Sequence, residues 1–202
     1  MAKHDWKKDW KHLYLPRPGP FALVDVPAMQ FLMIDGHGDP NTSPVFQDAM
    51  TALYGVAYGL KFGLKSQGIE FSVAPSEGLW WTQGTTLDLT DKSDWNWTLM
   101  IMVPDEITVG QFQQVRSEAL RKKGLATLKQ VRLETYHEGL SVQALYVGPY
   151  ADEGPAILAM HRFIVEQGYV LNGKHHEIYI GDPRHSAPDK LKTVIRQPVR
   201  KA

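Results

Sequence analysis

Cysteine is absent from all 202 residues, so neither a disulfide framework nor a zinc–thiolate centre is available. Surplus charge is absent too. Lys+Arg and Asp+Glu number 22 each, so no global field draws the chain to nucleic acid or an anionic membrane. Only the run Lys190, Lys192, Arg196, Arg200 and Lys201 is locally basic, and such a run reads as a solvated terminus. No apolar stretch nears the ~20 residues of a membrane helix. The charged opening Lys3 to Trp10 lacks the apolar segment of a signal peptide. These absences predict a cytoplasmic protein with no membrane and no direct nucleic-acid partner. An apolar content of 43% fits an ordinary globular chain, and this length buries about 70% of the unfolded surface.

Several chemistries are missing as well. Gly36-His37-Gly38 lacks the further glycines or lysine of a phosphate loop and reads as a strand-ending turn. Ser72 and Ser141 have no nucleophile-elbow context. The eight histidines are scattered, and adjacent His175 and His176 point to opposite faces of a strand, a poor metal pair. No cofactor is expected.

What the chain does have is aromatic side chains and a repeated pattern. Residues 1–20 form an arm, with Trp6 and Trp10 spaced to share a helix face and Pro16-Arg17-Pro18-Gly19-Pro20 as a stiff connector. It either lies over the core or closes a pocket. Residues 21–202 read as one domain. In a first unit, about 21–105, Met29–Ile34 is a strand. Ser43 and Pro44 then open a helix with Phe46, Met50, Leu53, Ala57 and Leu60 on one side. Strands follow around Glu70 and at Trp95–Ile101. Thr108-x-x-Gln111 begins a bridging helix over about 108–124. In a second unit, about 130–202, Val131–Tyr136, a turn at Glu138-Gly139 and Leu140–Val147 precede a helix at 155–167 and strands at Glu177–Ile180 and Leu191–Arg196. Each unit runs strand, helix, strand, strand, which predicts an α+β fold of antiparallel sheet with helices on one face.

Gly68-Ile69-Glu70-Phe71-Ser72-Val73-Ala74-Pro75 and His176-Glu177-Ile178-Tyr179-Ile180-Gly181-Asp182-Pro183 each open an alternating strand with a glutamate and stop at a proline. The match pairs Glu70 with Glu177 across a shared cleft. Alternation puts Glu177 and Tyr179 on one face and Ile178 and Ile180 on the other, the isoleucines being expected under the helices. Tyr54, Tyr58, Trp80, Trp81, Trp95, Trp97, Tyr146 and Tyr179 are candidate walls for a flat aromatic ligand, or core residues. Glu77, before a glycine and two tryptophans, either faces the cleft or fixes a turn.

Four motifs occur in order: Ile34-Asp35-Gly36-x-Gly38-Asp39-Pro40-Asn41; Pro75-x-Glu77-Gly78-Leu79-Trp80; Leu140-Ser141-Val142-Gln143-x-Leu145-x-Val147-Gly148-Pro149-Tyr150; and Glu177-Ile178-Tyr179-x-x-Asp182-Pro183-Arg184 with Pro188-x-Lys190-Leu191-Lys192-Thr193. Together they resemble the GyrI-like small-molecule-binding proteins. The likeness extends from about Tyr14 onward, as in a stand-alone member without a DNA-binding domain. It implies two pseudo-symmetric βαββ (SHS2-like) units with a groove between them for a hydrophobic aromatic ligand. Family members act in drug sensing or gyrase protection, and one subfamily hydrolyses the cyclopropane of yatakemycin-type DNA alkylators. Glu77-Gly78-Leu79-Trp80 and the tryptophan-rich first half are most similar to that subfamily. The resemblance thus implies a cyclopropanoid cyclopropyl hydrolase, with Glu177, Glu77 and Tyr179 catalytic and Tyr54, Tyr58, Glu70, Trp80, Trp81, Trp97 and Tyr146 binding the ligand. A drug-sequestering or gyrase-modulating protein is the alternative.

Overall fold

A computed structural model describes residues 3–82, 91–182 and 185–202. Along the chain run β1 (Lys3–His4), α1 (Trp6–Asp9), α2 (Lys11–Tyr14), β2 (Ala22–His37), α3 (Pro44–Gly63), β3 (Glu70–Phe71), β4 (Ser76–Trp81), β5 (Asn96–Met102), α4 (Val109–Lys123), β6 (Arg132–Val147), α5 (Gly154–Glu166), β7 (Tyr169–Leu171), β8 (His175–Tyr179) and β9 (Lys192–Lys201). The fold is α+β, and every pairing in its main sheet is antiparallel.

The order β6-β2-β5-β4-β8-β9 closes on itself, because β9 also pairs with β6. Among the described strands of this main sheet, the ring of six leaves β7, appended to β9, at an edge. Both β2 and β6 run for 16 residues: β2 extends well beyond the predicted Met29–Ile34, and β6 joins the two strands predicted at Val131–Tyr136 and Leu140–Val147. Polar residues interrupt their apolar runs, yet ladder bonds continue from Ala22↔Gln143 to Met33↔Arg132. Glu138-Gly139 is therefore not a turn between two strands; the chain passes straight through it. Gly139 takes φ 73°, which costs a glycine little. Glu138 and Gln143, an odd number of residues apart, consequently both reach Arg196.

The α3 stripe packs as its spacing predicts: Leu53, Ala57 and Leu60 are buried, with Ala49, Ala52 and Val56 beside them. Pro44 opens α3, but the Ser43 side chain makes no capping bond. The Thr108–Gln111 capping box does form, and Gly124 ends α4 in the left-handed region. Beneath α5, Val142, Ile157, Met160, Ile164, Ile195 and Val199 make a smaller second core. Gly36 has a packing role. A Cβ there would sit 2.0 Å from the Trp97 indole, which is fully buried and donates to Gly38 O.

The N-terminal arm lies over the core. Trp6 is buried and donates to Val73 O, and its ring lies 5.7 Å from that of Tyr14. Trp6 and Trp10 do not share one helix, since α1 ends at Asp9. No helix among the described residues is long and apolar enough to cross a membrane.

Candidate functional site

Strand β8 alternates His175, Glu177 and Tyr179 on one face with His176 and Ile178 on the other. The Glu177 face carries α3 and α5. Its cross-strand neighbours include Trp80, opposite His175, and Trp97, opposite Trp80; the α3 ring of Phe46 lies 6.1 Å and 5.3 Å from those two indoles. This corrects the expectation that the isoleucines pack beneath the helices: Ile178 turns toward the side the arm covers.

On the helix side, Tyr179 donates its hydroxyl to Glu177 Oε2 at 2.7 Å, and Trp80 Nε1 donates to the Tyr179 oxygen at 3.0 Å. Burial, then the neighbouring Glu177 charge, pushes the Tyr179 phenol well above its usual range. Tyr150 meets Tyr179 edge-on at 5.4 Å and is pushed up to about 12, mainly by burial. Gly78 makes room for the Trp80 indole, whose Nε1 lies 2.6 Å from where a Cβ would stand.

Glu153, at the mouth of α5, is buried, and its carboxyl is pushed up to about 9 by burial and then by the Glu177 charge; Thr193 and Lys92 oppose this. His175 Nε2 lies 3.4 Å from Glu177 Oε1, outside hydrogen-bonding alignment. His161 of α5 is pushed down to about 4 by burial and then by His175, with Gln197 opposing. Among the described residues, the buried side-chain polar atoms without a hydrogen-bond partner are Glu153 Oε1, His161 Nε2, both ring nitrogens of His175 and Thr193 Oγ1. All belong to this one neighbourhood. An unmet buried polar atom is costly, and a cluster of them marks a place for water or a polar ligand group.

The opposite face is saturated. His176 Nδ1 donates to Glu138 and Nε2 to Glu77, each at 3.0 Å. Burial opposes the charge on His176, but Glu138 and Glu77 outweigh it and raise the imidazole to about 9. Glu138 is likewise held down at about 2 by His176 and Arg196 against its burial. Tyr14 donates to Glu77 Oε1 at 2.6 Å, Arg196 to Leu13 O at 2.8 Å and Gln143 to His12 O at 2.7 Å. The network fastens the arm.

Residues 20–200 match the family described as the GyrI-like small molecule binding domain. The chain belongs to the GyrI-like family. This GyrI-like protein is similar over 98% of its length to the whole of three solved proteins from Listeria innocua. One is an uncharacterized conserved protein (36% identity, TM-score 0.89) and two are described as hydrolases (35% and 33% identity, TM-scores 0.87 and 0.83). No curated protein matches it.

In this GyrI-like chain the structure gathers Glu177, Tyr179 and Trp80 in one cluster; Tyr54 is half-buried on α3, packed against the core and beside Tyr58. Glu77 is on the other face, both oxygens engaged. Glu70 is not the counterpart of Glu177. It lies in two-residue β3, paired with Lys3 of β1 outside the ring, and in element order β4 takes the place of β8. Trp81 also faces away, with Lys174 Nζ 3.4 Å from its ring centroid. Trp97 is core, Tyr146 donates to Pro149 O beside the second core, and Tyr58 is exposed along α3. Pro183 and Arg184 lie outside the described residues. Tyr150 and Thr193 end two of the family motifs but are not read as site residues from them, and Glu153 and His161 carry no sequence signal for this site. Glu153-Gly154-Pro155 reads as an ordinary helix start, and only folding brings it to Glu177.

Proposed function

We propose that this GyrI-like protein is a hydrolase that opens the strained cyclopropane of hydrophobic aromatic alkylating compounds, using the Glu177 cluster. The observation that carries this reading is the pair of neighbouring buried carboxyl groups, Glu177 and Glu153, the latter pushed up to about 9, amid polar atoms without partners. The hydrolase description of two relatives at about one-third identity supports it. We also read the β2–α3–β4–β5 and β6–α5–β8–β9 runs as two related units with the ligand between α3 and α5.

In a spiro-cyclopropane conjugated to a dienone, water attacks the cyclopropyl CH2. Its oxygen forms a bond to that carbon as the ring C–C bond breaks, and the electron pair moves to the dienone oxygen, giving a phenol. Glu177 takes a proton from the water. Glu153, whose Oε1 is unpartnered, gives one to the developing phenolate. The product is the substrate plus one water. Tyr179 and Trp80 hold Glu177 in place rather than react, since their donors are already used. The oxygens of Glu77 are engaged on the other face, so Glu177 alone positions the water. Aromatic walls at Trp80, Tyr150 and Tyr54 bind the flat substrate.

Incubating the purified protein with a spirocyclopropyl dienone in H2(18)O tests the reading. Catalytic formation of the ring-opened alcohol carrying one 18O is expected. Stoichiometric disappearance of free compound without product would leave only the second reading, sequestration, which the aromatic walls alone would support.

A further inference from the structure

Strand β8 carries two adjacent histidines, both buried, and the fold treats them in opposite ways. Each ring nitrogen of His176 has a carboxylate oxygen at 3.0 Å. His175, on the other face, has a side chain only 1% exposed. Among the described residues, neither of its ring nitrogens has a hydrogen-bond partner. An unmet buried polar group costs stability, and an apolar side chain of similar volume would avoid that cost. Packing alone gives no reason for an imidazole here, and the ring-opening steps leave it unused.

Its place beside Glu177 gives a reason. His175 Nε2 stands 3.4 Å from Glu177 Oε1, whereas a hydrogen bond needs about 2.7–3.2 Å and a straighter angle. The ring torsion of histidine is soft, so a small turn of the imidazole supplies the missing few tenths of an ångström. Hydrogen bonds at reacting groups are often long before a ligand binds and tighten when it does. The other oxygen of Glu177 is already held: Tyr179 donates to Oε2 at 2.7 Å, and Trp80 donates to Tyr179 at 3.0 Å. Trp80 in turn pairs across from His175 between β4 and β8. One carboxylate is thus bonded at one oxygen and has an unpartnered imidazole beside the other.

We infer that His175 is a positioning residue for Glu177. In the tautomer with its hydrogen on Nε2, it donates to Oε1 in the ligand-bound state and fixes the plane of the carboxylate. The terminal torsion of a glutamate is broad, so a carboxylate held at one oxygen swings and one held at both does not. Oε1 keeps a second lone pair for the attacking water, so Glu177 still takes that proton and none passes to His175. This deepens the hydrolytic reading of the Glu177 cluster and rests on it.

Steady-state opening of a spirocyclopropyl dienone by the full chain, by His175→Leu and by His175→Gln tests the inference. Leucine fills the space without a donor. It is expected to lower kcat roughly ten- to hundredfold, the scale for a misplaced reacting group, and to leave KM within about twofold. Its melting temperature should hold, or rise by about 2–4 °C, because an unmet buried group is gone. Glutamine keeps an N–H donor, and its kcat should stay within about fivefold of native. A histidine needed only for the fold would give the reverse: a leucine variant that melts lower or does not fold. That result would overturn the inference, and so would a glutamine variant no better than leucine. A leucine variant that turns over at the native rate would remove this role alone. A native chain that opens no ring would remove the hydrolytic reading, and this role with it.

Discussion

Glu153, at the start of α5, and Glu177, on β8, are the same side chain in two neighbouring settings. Glu177 is met by the Tyr179 hydroxyl; Glu153 has an oxygen with no partner, and burial, then the Glu177 charge, raises its carboxyl to about 9. If Glu153 is the acid, its protonated form is the active one, and turnover should fall as pH rises through about 9. Glu153→Gln keeps the shape but has no acidic proton, and a loss of roughly 10²–10⁴-fold in kcat is expected from removing a general acid. Steady-state kinetics across pH 6 to 10 checks both points. Gly36→Ala has a different cause. Its methyl would stand 2.0 Å from the Trp97 indole, and a loss of about 1–3 kcal/mol is expected by urea denaturation, as for other overpacked cores.

Among the elements, the arm and β8 are joined by a buried polar network rather than by apolar contact alone. Tyr14→Phe removes the 2.6 Å bond to Glu77 Oε1 and should cost about 1–3 kcal/mol, because a buried acceptor loses its donor. Arg196→Met takes the cation from Glu138 and should cost more, about 3–5 kcal/mol. Urea denaturation gives the size of both losses. None of this network was legible in the sequence, because Tyr14, Glu77, Glu138, His176 and Arg196 come from five separate elements. Local patterns were legible: the α3 stripe, the Thr108–Gln111 box and the alternation that sets Glu177 against Ile178. Pairings between distant segments were not. The β6–β9 closure depends on residues about fifty apart, and the apparent kinship of Glu70 with Glu177 dissolves because β3 lies outside the ring. The ordered motifs did identify the family, since their sequence is fixed even where their contacts are not.

At the scale of the whole molecule, two raised groups set the alkaline side of stability. His176, raised to about 9, contributes stability that is full below about 6.5 and lost as pH rises through 9. Glu153, also raised to about 9, acts in the same direction from about 4.5 upward. The folded state should therefore weaken between pH 6.5 and 9, and Glu153→Gln should flatten part of that decline in thermal denaturation. The closed ring sets Glu177 on the helix side of the sheet, with a hydrogen-bonded polar network on the opposite face, so the proposed chemistry has one side on which to occur. Turnover of a spirocyclopropyl dienone by Glu177→Gln, with folding checked by circular dichroism, tests this most directly. A fully folded variant that has lost at least about a hundredfold of the native rate is the expected result; a folded variant that opens the ring at the native rate would contradict it.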